Sequence, residues 1–113
     1  MTHEEASARL PPEVSTGRAA TIVQFSSAFC QPCRATRRAI RHVVEDLVTR
    51  IDGIEIVDID ADDHLDLTRA WGIESTPTVV FLDADGREVL RRVGQPRTAD
   101  VVAALAQVLK VDP

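Results

Sequence analysis

The order of patterns along this 113-residue chain predicts an α/β domain of three layers, a mixed central sheet flanked by helices. Three observations carry that expectation. β-Branched runs alternate with helical stretches, the longest amphipathic stretch follows directly on the first strand, and an Asp-Gly turn joins the last two strand-like runs. At this length the chain is sized for one core. Apolar residues at 44% and charged residues at 27% suit an ordinary globular domain.

Residues 1–19 contain Pro11-Pro12 and the polar stretch Ser15-Thr16-Gly17-Arg18, which reads as an N-terminal arm or short first element. The domain proper is expected over residues 20–113. Ala20-Thr21-Ile22-Val23-Gln24-Phe25 is continuous and β-branched, as a buried central strand should be, and it ends at Ser26-Ser27. From Pro32, the residues Ala35, Ala39, Ile40, Val43, Val44, Leu47, Val48 and Ile51 recur at helical spacing, so a long amphipathic helix follows. Gly53 is its stop signal, and Ile54 to Ile59 form the second strand.

Asp62 or Asp63 is placed to cap a short helix that runs to about Trp71 and ends at Gly72. Thr78 to Leu82 reads as the third strand and Glu88 to Val93 as the fourth, with Asp85-Gly86 making the hairpin turn and this pair the antiparallel edge. Thr98 is expected to cap a last helix whose Val101, Val102, Leu105, Val108 and Leu109 pack back onto the sheet.

The composition narrows the function. A net charge of −5 disfavours nucleic acid as a partner, because phosphate binding needs a clustered positive surface. Arg34, Arg37, Arg38 and Arg41 are a local exception, read either as a solvated helix face or as a basic rim that favours acidic partner proteins. The longest apolar runs fall far short of the roughly 20 residues that span a bilayer, so no membrane role is expected. The start Met1-Thr2-His3-Glu4-Glu5 is acidic and no apolar stretch follows, which points away from an export signal and toward the cytoplasm.

The two cysteines, Cys30 and Cys33, form one C-x-x-C at the point where the first strand hands over to the long helix. A disulfide is attacked by a thiolate, and a free cysteine with a pKa of about 8.5 is mostly protonated at neutral pH. Unpaired N–H groups and partial positive charge at a helix start favour the thiolate of Cys30, and Arg34 adds to that field. Three residues on, Cys33 returns over the first turn as the resolving thiol. Pro32 suits a first turn, where its missing N–H costs nothing, and with Gln31 it sets the geometry between the sulfurs.

Two other readings of the pair are weaker. Zinc would need two further ligands from His3, His42, His64 or carboxylates, none at finger spacing, so no metal is expected. A purely structural disulfide closing so short a loop constrains the unfolded chain very little.

With Ile22-Val23-Gln24-Phe25, Cys30-Gln31-Pro32-Cys33-Arg34, Val57-Asp58-Ile59-Asp60, Trp71-Gly72-Ile73, Ser75-Thr76-Pro77-Thr78, Asp85-Gly86 and Val93-Gly94, the chain resembles the thioredoxin family over about residues 20–110. The resemblance implies a thioredoxin-like fold and a thiol–disulfide oxidoreductase that reduces disulfides in partner proteins. It implies a cis Thr76-Pro77 bond opposite the cysteines, with Phe29, Trp71, Ile73, Thr76, Pro77 and Gly94 forming a shallow substrate groove; Trp71 and Ile73 read equally as core-edge residues, and Gly94 as a plain strand end. No cofactor beyond the Cys30–Cys33 disulfide is implied, and electrons would come from a donor such as a thioredoxin reductase. A monomer is expected.

The chain departs from the family at four positions, with Gln24 for a buried Asp, Ile56 for a Lys, Ser26 for a Trp and Gln31 for a Gly. An amide at Gln24 cannot take the proton of Cys33. The alternatives are therefore a redox sensor or protein-binding module on the same fold, or the same pair run as an oxidant or isomerase, because reduction potential sets the direction.

Overall fold

A computed structural model of the chain describes residues 16–47 and 51–110. Residues 1–15, which hold most of the expected arm, lie outside the described residues, as do Val48 and residues 111–113. The elements follow one another as β1 (Ala20–Ser26), α1 (Gln31–Leu47), β2 (Ile54–Asp60), α2 (Leu65–Ala70), β3 (Thr78–Leu82), β4 (Glu88–Val93) and α3 (Thr98–Leu109). Sheet order is β2-β1-β3-β4.

The sheet is mixed: the hairpin supplies the expected antiparallel edge, and direction changes at the centre as well. β1 runs parallel to β2 and antiparallel to β3, and β3 is antiparallel to β4. In register, Ile22 faces Ile56 on one side and Phe81 on the other, and Gln24 faces Asp58 and Val79.

Alternation along β1 sends its side chains to two separate cores. Ala20 and Ile22 join Val79 and Phe81 beneath Ile40 and Val43 of α1 and Val101 and Leu105 of α3. Val23 and Phe25 join Val57, Ile59 and Val80 on the opposite face, where Leu67 of α2 and Trp71 cover them. Every residue of β1 and β3 is buried, which is why both strands read as continuous apolar runs. Leu105 lies at the middle of the first core, so Leu105→Ala is expected to cost about 2–5 kcal/mol in urea unfolding with the slope unchanged.

Helix starts differ from expectation in two places. The short helix begins one residue after His64, which makes no side-chain cap, while the Asp60 carboxylate accepts the Asp62 amide in the turn before it. Neither Asp62 nor Asp63 is the cap. At the last helix the N-cap is Arg97, not Thr98, and Asp100 reaches back to accept the Arg97 amide at 3.0 Å. The acid three residues on thus satisfies the amide of the N-cap residue itself. Helix α1 is described to Leu47, whose carbonyl accepts the Ile51 amide at 2.8 Å, and Gly53 turns the chain at φ 92° and offers its carbonyl to Ala19 and Ala20.

Gly17 is required for a different reason. A Cβ there would strike the carbonyl oxygens of Ala20 and Gly53, so only glycine lets the entry to β1 lie against the turn before β2.

Candidate active site

The site is built where β1 gives way to α1. Phe29 takes a left-handed backbone at φ 61°, an uncommon conformation for a bulky residue, and its side chain is 95% exposed. Cys30 then stands at the N-cap position: its carbonyl accepts the Arg34 amide at 3.3 Å, and its Sγ accepts the Cys33 amide at 3.2 Å. A sulfur here occupies the place of a capping oxygen and takes one of the helix's orphan donors. Pro32, between them, has no N–H to offer, so the capping bond falls to Cys33.

Cys30 and Cys33 are joined as a disulfide with 5.2 Å between their Cα atoms. Their surroundings differ sharply. Cys30 is half-buried, whereas Cys33 is 1% exposed. Gln31, Pro32 and Arg34 are all exposed around them. Within the helix, Thr36 is fully buried and donates its hydroxyl to the Pro32 carbonyl at 2.7 Å, holding the first turn.

Gln24 lies under this turn at 1% exposure, and its Nε2 donates to the Cys33 carbonyl at 2.9 Å. The amide thus pins the Cys33 backbone to β1 while offering no titrating group. Ile56, two register positions from Asp58, packs on the apolar core of the same sheet face.

A polar group not found by sequence reasoning completes this side. Ser26 is buried and donates its hydroxyl to Asp58 Oδ1 at 2.7 Å, while Asp58 Oδ2 accepts from Arg37 Nε at 2.9 Å and from Nη2. One carboxylate therefore ties the end of β1 to the second turn of α1. The signal was Asp58 itself, which shares a strand face with Ile54 and Ile56 and so turns inward toward the helix.

Opposite the cysteines, the Thr76-Pro77 peptide is cis. Pro77 is buried and Thr76 half-buried, and the hydroxyls of Ser27 and Thr76 lie 3.0 Å apart in a hydrogen bond between the end of β1 and this loop. Gly94 follows β4 at φ 88° and donates its amide to the Pro77 carbonyl at 2.9 Å. Ile73, half-buried, lines the hollows on both sides of Glu74-Ser75.

Trp71 does not belong to this groove. It is 0% exposed, packs its ring 5.4 Å from that of Phe25, and closes the second core. The sheet face under α2 needs a large cover that a six-residue helix cannot provide, and the indole fills the gap.

A disulfide at the head of a helix, one sulfur half-buried and the other buried, next to a strand end whose Ser27 is bonded to the cis-proline loop, is an arrangement suited to thiol chemistry. Comparison with known proteins narrows the class. The family model for a thioredoxin-like domain matches residues 13–109. A putative thioredoxin H10 of Arabidopsis thaliana is 37% identical over 73 residues, 65% of this chain and 44% of that protein. The thioredoxin of Mycoplasma genitalium is 30% identical over 87 residues, 76% of this chain and 80% of that one. Among solved structures, chloroplastic thioredoxin z superposes with a TM-score of 0.68 at 28% identity, covering 80% of this chain and 79% of its own. The chain belongs to the thioredoxin-like family. It spans about half the length of the plant relatives it matches. No helix among the described residues is long and apolar enough to cross a membrane.

Proposed function

We propose that the protein reduces disulfides in partner proteins by dithiol exchange. The observation that carries this reading is the unequal pair at the head of α1, with Cys30 half-buried and bonded to an amide and Cys33 buried behind it. In the reduced protein the Cys30 thiolate attacks one sulfur of the substrate disulfide, that S–S bond breaks, and the other substrate sulfur leaves as a thiolate. Cys33 then loses its proton and attacks Cys30 Sγ, which releases the second substrate thiolate and closes the Cys30–Cys33 disulfide. Two electrons pass to the substrate, and its two thiolates take up protons. A dithiol or reductase donor, such as a thioredoxin reductase, returns two electrons and two protons to the pair.

The reaction needs no cofactor beyond these sulfurs. A reducing compartment such as the cytoplasm suits a chain whose only cysteines are a working pair. An apolar seat formed by Phe29, Pro32, Ile73 and Pro77, with the Thr76 backbone free to pair with an extended segment, suits a protein substrate. Gly94 braces the Pro77 loop from behind.

An insulin-type assay with dithiothreitol as donor is the test. Repeated turnover above the dithiothreitol background is expected. Tight binding of disulfide proteins without turnover would instead support a binding or sensing module, the reading favoured by Gln24 in place of a buried acid. Net oxidation of a reduced dithiol substrate by the Cys30–Cys33 disulfide would support an oxidant.

A further inference from the structure

Among the described residues, Arg37 is the one arginine of α1 that meets a carboxylate, that of Asp58. Arg34, Arg38 and Arg41 are exposed and make no ion pair or side-chain hydrogen bond with the described residues. At helical spacing they fall within about 60° of one another and extend roughly 10 Å from the cysteines along one exposed face. Glu45 closes the row at its far end. Elsewhere among the described residues, Arg18, Arg91, Arg92 and Arg97 each meet a carboxylate, while Arg69 and Arg87 are single exposed cations that belong to no such row. Three cations unneutralised beside the disulfide are notable on a chain of net charge −5.

The other rim of the site has the opposite sign. Glu74 and Asp62 border the hollow beside Ser27 and Thr76, across from α1. The apolar seat therefore lies between a positive side and a negative side. We propose, resting on the disulfide-reductase reading above, that the Arg34–Arg38–Arg41 row docks an acidic segment of the substrate protein next to the cysteine it presents to Cys30. Charge complementarity at such a rim acts mainly on the rate of productive encounter and weakens as salt screens it. A basic segment on the same side meets the row as a like charge and is disfavoured.

The test uses the full chain, reduced with dithiothreitol and desalted, against three disulfide peptides that share one cysteine environment and differ only in acidic, uncharged or basic flanks. Second-order rate constants are read by stopped flow in low and high salt. The acidic peptide is expected to react about tenfold faster than the basic one at low ionic strength, with the ratio falling toward one near ~0.5 M salt. Replacing Arg38→Glu and Arg41→Glu together should carry the ratio below one. Should that variant fold poorly by circular dichroism, Arg38→Gln with Arg41→Gln should still bring it close to one. Equal rates for acidic and basic peptides in low salt would overturn the docking surface while leaving the reductase reading intact. Failure of all three peptides to react, with thiol titration showing both cysteines reduced, would overturn that reading and the surface with it.

Discussion

Cys30→Ser is expected to reduce disulfide exchange to the uncatalysed background, whereas Cys33→Ser should still attack and should accumulate mixed disulfides. The asymmetry follows from position. Cys30 holds the N-cap place, where its sulfur accepts the Cys33 amide, and it is the sulfur a substrate can reach. Cys33 is buried behind it and can meet only a sulfur already attached to Cys30. A serine hydroxyl at position 30 stays protonated at neutral pH and does not open a disulfide. Mass spectrometry of each variant mixed with an excess of a disulfide peptide reads the outcome. Adducts on Cys30→Ser and none on Cys33→Ser would reverse the two roles.

Gln24→Asp is expected to speed the second half of the reaction at neutral pH. In the native protein the group bonded to the Cys33 backbone is the non-titrating Gln24 amide, and the carboxylate next to it in register, Asp58, is engaged by Ser26 and Arg37, so resolution of a mixed disulfide should be slow near neutrality and should accelerate as Cys33 ionises in alkaline solution. A carboxylate in the same buried place can take that proton, and general-base help is typically worth about 10²–10⁴ in rate. Its stability cost has a predictable pH dependence. Burial without a cation, Ile56 standing where a lysine could serve, raises the new carboxyl's folded pKa above its unfolded value of about 3.9. The variant therefore keeps most of its stability below that unfolded value and loses it as pH rises through the folded pKa, when the buried group must ionise. Stopped-flow decay of a mixed disulfide across pH, with thermal unfolding at about pH 4 and pH 7, checks both halves. Identical pH profiles for the two proteins would remove residue 24 from the proton path.

The elements of the fold were legible because their patterns are local. β1 and β3 are short apolar runs bounded by polar residues, and α1 repeats its apolar positions at helical period. The cysteine pair was legible for the same reason, since its chemistry depends on standing just after one element and at the head of the next. Where the reading failed, the answer depended on groups distant in sequence. Whether Trp71 faces substrate or core is decided by the empty half of the sheet face under α2, which no window around Trp71 contains. The Ser26–Asp58–Arg37 cluster needs the β1–β2 register before its members can be seen as neighbours. Helix caps fail at a finer scale. Arg97 has no capping preference of its own, and the start there is set by the reach of Asp100 back to its amide.

The charged outer strands carry a consequence for how this protein fails. Its two segments best suited to stacking into cross-β assemblies, around Ile22 to Phe25 and Thr78 to Leu82, are the two interior strands, and neither has a free edge in the native sheet. Among the described residues the outer strands are β2, which carries Glu55, Asp58 and Asp60, and β4, which carries Glu88, Arg91 and Arg92, side chains that discourage another chain from adding on. Aggregation of the native state is thus held off at both edges, and its rate should follow the population of molecules whose sheet has opened rather than the total concentration of folded protein.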